Sequence, residues 1–327
     1  MAPVVKQVTM VRPESPELIE RGLRCLLGGP AAANGAAVSP LLLQRLQALR
    51  HYGQFHQLDI HRQVLAVFED EIVAACLWVN TPGRVASLYI TDPREHPQVL
   101  PALSLCIAGA VQDAQTAGLS LAQAIVEDQD HVSAQAYRDA GCEYLATLLY
   151  MERSEPWLSP RAVFPSGVSL ETYDAENHAQ FCRAIEESYV GALDCPRLTG
   201  LRGIEDVVRG HKAVGRFREN LWFLLRHDRK PIGVLLLAEV EARESLEVVY
   251  LGLAPEMRGR GLGTALIQLA LRQLAANSLR VCTVAVDAKN TPAMALYRKM
   301  RFRKKHSRDV YIKALNPISA AVPAGCS

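Results

Sequence analysis

Three glycines stand at alternate positions in Arg258-Gly-Arg-Gly-Leu-Gly-Thr264, after an apolar stretch that runs out at Pro255 and before a run of helical periodicity. Lacking Cβ, Gly259, Gly261 and Gly263 let the main chain approach a ligand closely and take up positive φ. A helix start at this point supplies unpaired N–H groups and the positive end of the aligned peptide dipoles. That combination suits a phosphate or diphosphate, and Arg258 and Arg260 add positive charge. The spacing is not that of a Rossmann loop, because the glycines follow a late strand and no acidic residue sits about 20 positions on. No Gly-Lys-Ser/Thr ending occurs, which excludes a P-loop. Downstream, Asn290 puts an amide at the mouth of a strand, Pro292 opens a helix, and Tyr297 falls about a turn and a half inside it.

These residues need a strand to deliver the turn and helices to carry the amides. Between residues 168 and 313 the pattern predicts a strand at 168–173, helices at 175–189 and 203–214, and strands at 221–226, 232–240 and 246–253. A helix at 263–276, a strand at 280–286, a helix at 292–300 and a strand near 309–313 complete it. The first half repeats the order. Helices at 17–27 and 40–52 follow Ser15 and Ser39 and are joined by an Ala/Gly-rich loop, 28–37. Strands at 63–68, 72–79 and 84–90, a helix at 100–117, a strand at 120–126 and a helix at 133–140 come next. Tyr137 and Tyr297 lie 160 residues apart, and Pro93 and Pro255 lie 162 apart. A duplication accounts for this most economically. The expected domains are 1–155 and 168–315, with a proline-rich linker at 156–167 and a disordered tail at 316–327.

Arg258-Gly-Arg-Gly-Leu-Gly263 and Asn290-Thr-Pro-Ala-Met-Ala-Leu-Tyr-Arg-Lys-Met-Arg-Phe302 together resemble two motifs of the GCN5-related N-acetyltransferase (GNAT) family, with Arg301 in place of its usual glycine. The resemblance implies an α/β fold with a mixed sheet and two tandem GNAT-like domains, the N-terminal one degenerate. The two-copy layout is similar to that of the mycothiol synthases. It implies acetyl-CoA, or another acyl-CoA, as donor and a small-molecule or peptide amine as acceptor. Backbone amides of Arg258, Gly259, Arg260, Gly261, Leu262, Gly263 and Thr264 would hold the pyrophosphate. The backbone of Leu251, Gly252 and Leu253 would pair with the pantetheine arm like an added strand, one N–H polarising the thioester carbonyl. Asn290 would bond the pantetheine or its neighbouring loop, and Tyr297 would protonate the departing thiolate. An amine is charged at neutral pH and needs a base, for which Glu247 is the candidate. It stands eleven residues before Arg258 and, by strand alternation, on the face of Leu251. Glu239 and Glu241 are its rivals. Glu186, Glu187, Tyr189 and Asp194 are candidates to line the acceptor cleft. Direct attack in a ternary complex is the expected reaction. Acetylation of an amino-sugar thiol and a non-catalytic acyl-CoA-binding module are the alternatives.

The same offset in the first half lands on His96-Pro-Gln-Val-Leu-Pro101, which has no glycine and two prolines without N–H groups, beside Glu95. That half is therefore expected to have lost its phosphate loop, and its Tyr137 to be structural. Across 327 residues, 49% hydrophobic and 21% charged residues describe packed domains, and Lys+Arg 36 against Asp+Glu 34 gives a net charge of +2. No nucleic-acid partner is expected from so small a charge, and no membrane partner, because the longest apolar run, 99–111, falls short of a span. The start lacks the pattern of a secretory signal. Eight dispersed cysteines without a Cys-x-x-Cys pair read as small buried hydrophobes of a cytoplasmic chain. His51, His56 and His61, five apart, share no helix face, and no metal is expected.

Overall fold

The computed structural model describes residues 7–55, 57–94, 96, 99–154 and 161–316. Glu95 and Pro97 of the first-half loop, Pro156 and Pro160 of the expected linker, and the tail 317–327 lie outside the described residues. Two compact units divide the chain. One comprises the residues up to Leu145 with those from Val310, and the other is Ala146–Asp309.

The first unit carries β1 (Thr9–Val11), α1 (Pro16–Ala33), α2 (Pro40–Phe55), β2 (Gln63–Phe68), β3 (Glu71–Thr81), β4 (Val85–Ile90), α3 (Leu100–Thr116), β5 (Leu121–Glu127) and α4 (His131–Asp139). Its strands lie in the order β1-β2-β3-β4-β5, followed by the end of β12 (Arg303–Ala314). Its core packs Leu103, Cys106, Ile107 and Ala110 of α3 on Val64, Ala66, Ala74 and Cys76. The loop expected at 28–37 is mostly helix: α1 kinks at Gly29 (φ 80°), and Pro30 starts a further helical stretch to Ala33.

The second unit takes β6 (Glu143–Arg153) from Ala146 onward, then β7 (Val168–Thr172), α5 (His178–Tyr189), α6 (Ile204–Lys212), β8 (Trp222–His227), β9 (Lys230–Val240), β10 (Ser245–Leu253), α7 (Leu262–Ala276), β11 (Val281–Asp287), α8 (Thr291–Lys299) and the start of β12. Its strand order is β12-β6-β11-β10-β9-β8-β7. The β10–β11 and β4–β5 pairs are parallel, while β9–β10, β6–β11 and β3–β4 are antiparallel. Strand β9 is buried on both faces. Leu235 and Leu237 meet Leu266, Ile267 and Leu271 of α7, and Val234 and Leu236 meet Phe181 and Ile185 of α5. The two contiguous halves read from the sequence therefore differ from the compact units at their ends. Strand β6 closes the second unit, giving Met151 to its core, and the end of β12 with Leu315 just after it closes the first, giving Tyr311 and Leu315.

The end of α8 tests the departure at Arg301. Arg301 adopts φ 63°, its N–H donates to the Arg298 carbonyl (2.9 Å), and the Phe302 N–H reaches back to the Tyr297 carbonyl (2.9 Å). This is a Schellman cap with arginine in glycine's place. Its counterpart, Gly141 with Cys142 bonded to Tyr137, has the same pattern.

Candidate active site

The sheet opens where the glycine turn needs it to. On one side β10 pairs with β9 along its length, but the register slips between Val248 and Tyr250, leaving Val249 as a bulge. On the other side β10 pairs with β11 only from Ser245 to Val248. A bulge bends and twists its strand, and beyond it β10 and β11 part. The Ala254 N–H donates to Ile232 on the β9 side (2.9 Å). Alternation then turns the amides of Leu253 and Leu251 into the gap and that of Gly252 toward β9. Of the three residues expected to pair with a pantetheine arm, two offer a free edge. Gly252 is a packing position instead: a Cβ there would stand 2.4 Å from Ser188 Oγ. The gap forms a cleft of about 220 Å³, lined among others by Tyr189, Asp194, Leu251, Leu253, Val286 and Tyr297.

The turn sits at the end of this cleft. Gly261 (φ 81°) is the N-cap of α7 and gives the helix no side-chain cap. Gly259 has φ 73°, and a Cβ built on either glycine meets nothing within 4 Å. Among the described residues, the amides from Gly259 to Thr264 donate to no protein acceptor. A turn that frees several N–H groups into open space fits a diphosphate. Leu262 is buried beneath it, and Gly263 lies close against Leu296 of α8. Arg260 is exposed.

Arg258 departs from expectation. Its guanidinium donates to the carbonyls of Leu253 (3.1 Å), Gly191 (3.1 Å) and Ser188 (2.8 Å), so its hydrogen bonds clamp the loop after α5 to the end of β10 and do not reach toward a phosphate. Lysine cannot reproduce this three-way fork. Arg258→Lys should lower stability by about 1–3 kcal/mol, read as a lower melting temperature in calorimetry.

Tyr297 is 6% exposed and lines the cleft. Burial, with the nearby Asp194, pushes its hydroxyl well above the usual phenol range, so it is a neutral donor at every physiological pH. Among the described residues its hydroxyl has no hydrogen-bond partner, whereas the Tyr137 hydroxyl donates to the Leu88 carbonyl (3.4 Å) and its ring stacks on Tyr311. Asn290 caps α8, accepting from the Ala293 N–H (3.3 Å), and bonds Asp194. Asp194 accepts from the Asp287 N–H (3.0 Å), and burial raises its carboxyl above the usual range. The amide thus holds the neighbouring loop.

The bulge also moves Glu247. Its partner across the ladder is Ala238, and that of Leu251 is Leu235, three residues away. An odd offset puts the two on opposite faces, which corrects the expectation of a shared one. Leu251 faces α7, while Glu247 faces the α5 side with Tyr250 and Thr283. Burial raises the Glu247 carboxyl above its ordinary value, and Arg243 opposes it. Its rivals are engaged elsewhere. Glu239 pairs with Arg218, whose guanidinium also bonds Asn277, the C-cap of α7. Glu241 is exposed and pairs with Arg216 (3.3 Å). Glu186 and Glu187 face solvent. Two cleft residues escaped the sequence reading, Ser188 and Tyr250, whose hydroxyls lie 2.7 Å apart. No local motif marks them, because they meet only through the packing of α5 on β10.

Residues 163–302 match the family model described as Acetyltransferase (GNAT) family. The chain is 31% identical over 166 residues to a mycothiol acetyltransferase of Streptomyces griseus subsp. griseus, covering 48% of each. It spans about half the length of the curated relatives it matches. Among solved structures, a GCN5-related N-acetyltransferase from Sphaerobacter thermophilus superposes with a TM-score of 0.59 at 18% identity over 95% of this chain and 96% of that one. A tandem GNAT protein from the clavulanic acid biosynthesis pathway does so at 0.52 and 15%, over 95% and 99%. These structures share the fold of the whole chain, a mixed α/β tandem.

Proposed function

On the premise that residues 163–302 are a domain of the acetyltransferase (GNAT) family, we propose that the chain transfers an acetyl group from acetyl-CoA to a primary amine by direct attack in a ternary complex. The observation that carries this reading is the meeting of two backbone surfaces. The free amides from Gly259 to Thr264 lead into the free edge of Leu251 and Leu253, one a cradle for a diphosphate and the other a partner for an amide-bearing arm. When bound, acetyl-CoA supplies an activated acyl carbon and a thiolate leaving group. The Leu251 or Leu253 N–H polarises the thioester carbonyl. The Tyr297 hydroxyl, neutral and unpaired among the described residues, gives its proton to the departing sulfur. Glu247, on the opposite face of β10 from Leu251, takes the proton that the ammonium must lose. Asn290, through Asp194, and Arg258 hold the loop that walls the cleft.

Similarity to mycothiol acetyltransferases favours a second reading of the acceptor, an amine carried by an amino-sugar thiol. A panel of simple amines, peptides and amino-sugar thiols, followed by free-thiol release, separates the two. Release of coenzyme A with none of them would leave a binding module.

Glu247→Gln should lower kcat/KM about 100-fold and remove the acid limb of its pH profile. In the parent protein the rate should fall as pH drops through the raised carboxyl pKa, because the base is then protonated. Stability moves the other way. A carboxyl raised in the folded state binds its proton more tightly there, so its burial costs stability as pH climbs from the ordinary carboxylate value through the raised one. The glutamine variant should therefore be no less stable at neutral pH. Unchanged turnover would remove Glu247 from the mechanism.

A further inference from the structure

His178 and Cys182 stand one helical turn apart on α5 and project to the same side, toward Glu205 in the first turn of α6. The His178 Nε2 atom lies 3.0 and 3.1 Å from the two carboxylate oxygens and 3.5 Å from the Cys182 Sγ atom. The sulfur lies 3.8 Å from Glu205 Oε1. A tetrahedral zinc ion bound at roughly 2.0–2.3 Å by nitrogen, oxygen and sulfur holds those atoms roughly 3.3–3.6 Å apart. The observed edges straddle that range. Nδ1, the other ring nitrogen, is 3.0 Å from the Tyr173 hydroxyl, which the Lys212 ammonium reaches at 2.7 Å. A hydroxyl has two lone pairs, so Tyr173 can accept from both and leave Nε2 bare toward the carboxylate and sulfur. An outer partner of this kind is what orients a metal-bound histidine.

We propose that His178, Cys182 and Glu205 form a three-ligand site for a divalent metal of zinc's ligand preference, with a fourth position open to water. Imidazole, thiolate and carboxylate together suit a borderline-soft ion. The site ties the start of α5 to the start of α6 and so fixes the α6 end of the loop between them, whose Gly191, Leu193 and Asp194 line the cleft. It is separate from the acyl-transfer site: His178 lies ten residues from Ser188, about 15 Å along α5.

The test is a Co²⁺ titration of the full-length chain, stripped with chelator, with neither acyl donor nor amine present. One equivalent should bind with a thiolate-to-cobalt charge-transfer band and the strong visible bands of four-coordinate cobalt. One equivalent of Zn²⁺ should bleach both, and the melting temperature should rise with either metal. Cys182→Ser should lose the charge-transfer band. Glu205→Gln, at a carboxylate 63% exposed, should leave the fold intact and weaken binding at least about 10-fold. Tyr173→Phe should weaken it by about 10–100-fold. No charge-transfer band at saturating Co²⁺, the same band in Cys182→Ser, or unweakened binding in Glu205→Gln would overturn the site. The three residues would then be a hydrogen-bond relay from Tyr173 to Glu205.

Discussion

Gly261→Asp should fold normally and lose coenzyme A binding by at least about 100-fold, measured by calorimetry. The position is a helix N-cap in open space, where a new Cβ meets nothing within 4 Å. Aspartate is among the best N-caps, and its cost for φ 81° is on the order of 1–2 kcal/mol. Its carboxylate would accept from the amides that otherwise face the diphosphate and would stand against it as a like charge. Like-charge juxtaposition at an interface costs several kcal/mol, and about 2.7 kcal/mol is already 100-fold. Gly261→Asn separates charge from geometry, since asparagine tolerates the left-handed backbone and carries no charge. It should bind more tightly than the aspartate variant. Equal affinity in parent and aspartate proteins would remove the turn from the site.

Tyr297→Phe should lower kcat by about 100-fold or more, within the range for a lost general acid, while coenzyme A affinity changes less than about threefold. The ring is buried in the α7–α8 core, and its hydroxyl bonds no described residue, so the deletion breaks no internal contact. The pH profile is informative as well. Because the hydroxyl lies well above the phenol range, no alkaline limb from Tyr297 should appear at physiological pH. Tyr137→Phe supplies the contrast. Its hydroxyl bonds Leu88, and its removal should lower stability without touching kcat. Equal losses in kcat and affinity for Tyr297→Phe would reduce that residue to packing.

Most of the second unit was legible because its elements carry local signals. The glycine turn, the Asn290 cap and the periodicity of α7 each stand within a few residues of what they specify. Three things were not legible. The bulge at Val249 has no residue signature, for Val248-Val249 reads as uninterrupted strand, yet it moves Glu247 to the other face of β10. The Arg258 side chain reads as phosphate charge because it stands beside the glycines, but besides Leu253 its partners, Ser188 and Gly191, lie about 70 residues away in the chain. His178 and Cys182 do carry the spacing of one helix face, but Glu205 joins them only when α6 folds back on α5. Partners distant in sequence and close in space are what pattern reading cannot supply.

The exchange of last strands makes the second unit depend on residues of the first half of the chain. Deleting residues 1–155 would remove β6 and with it the main-chain partner of β11 from Cys282 to Asp287, the stretch that ends beside Asn290. The bare edge would be a row of unpaired amides and carbonyls open to other chains. The first half of the chain thus supplies the second unit with the strand that covers the β11 edge beside the cleft.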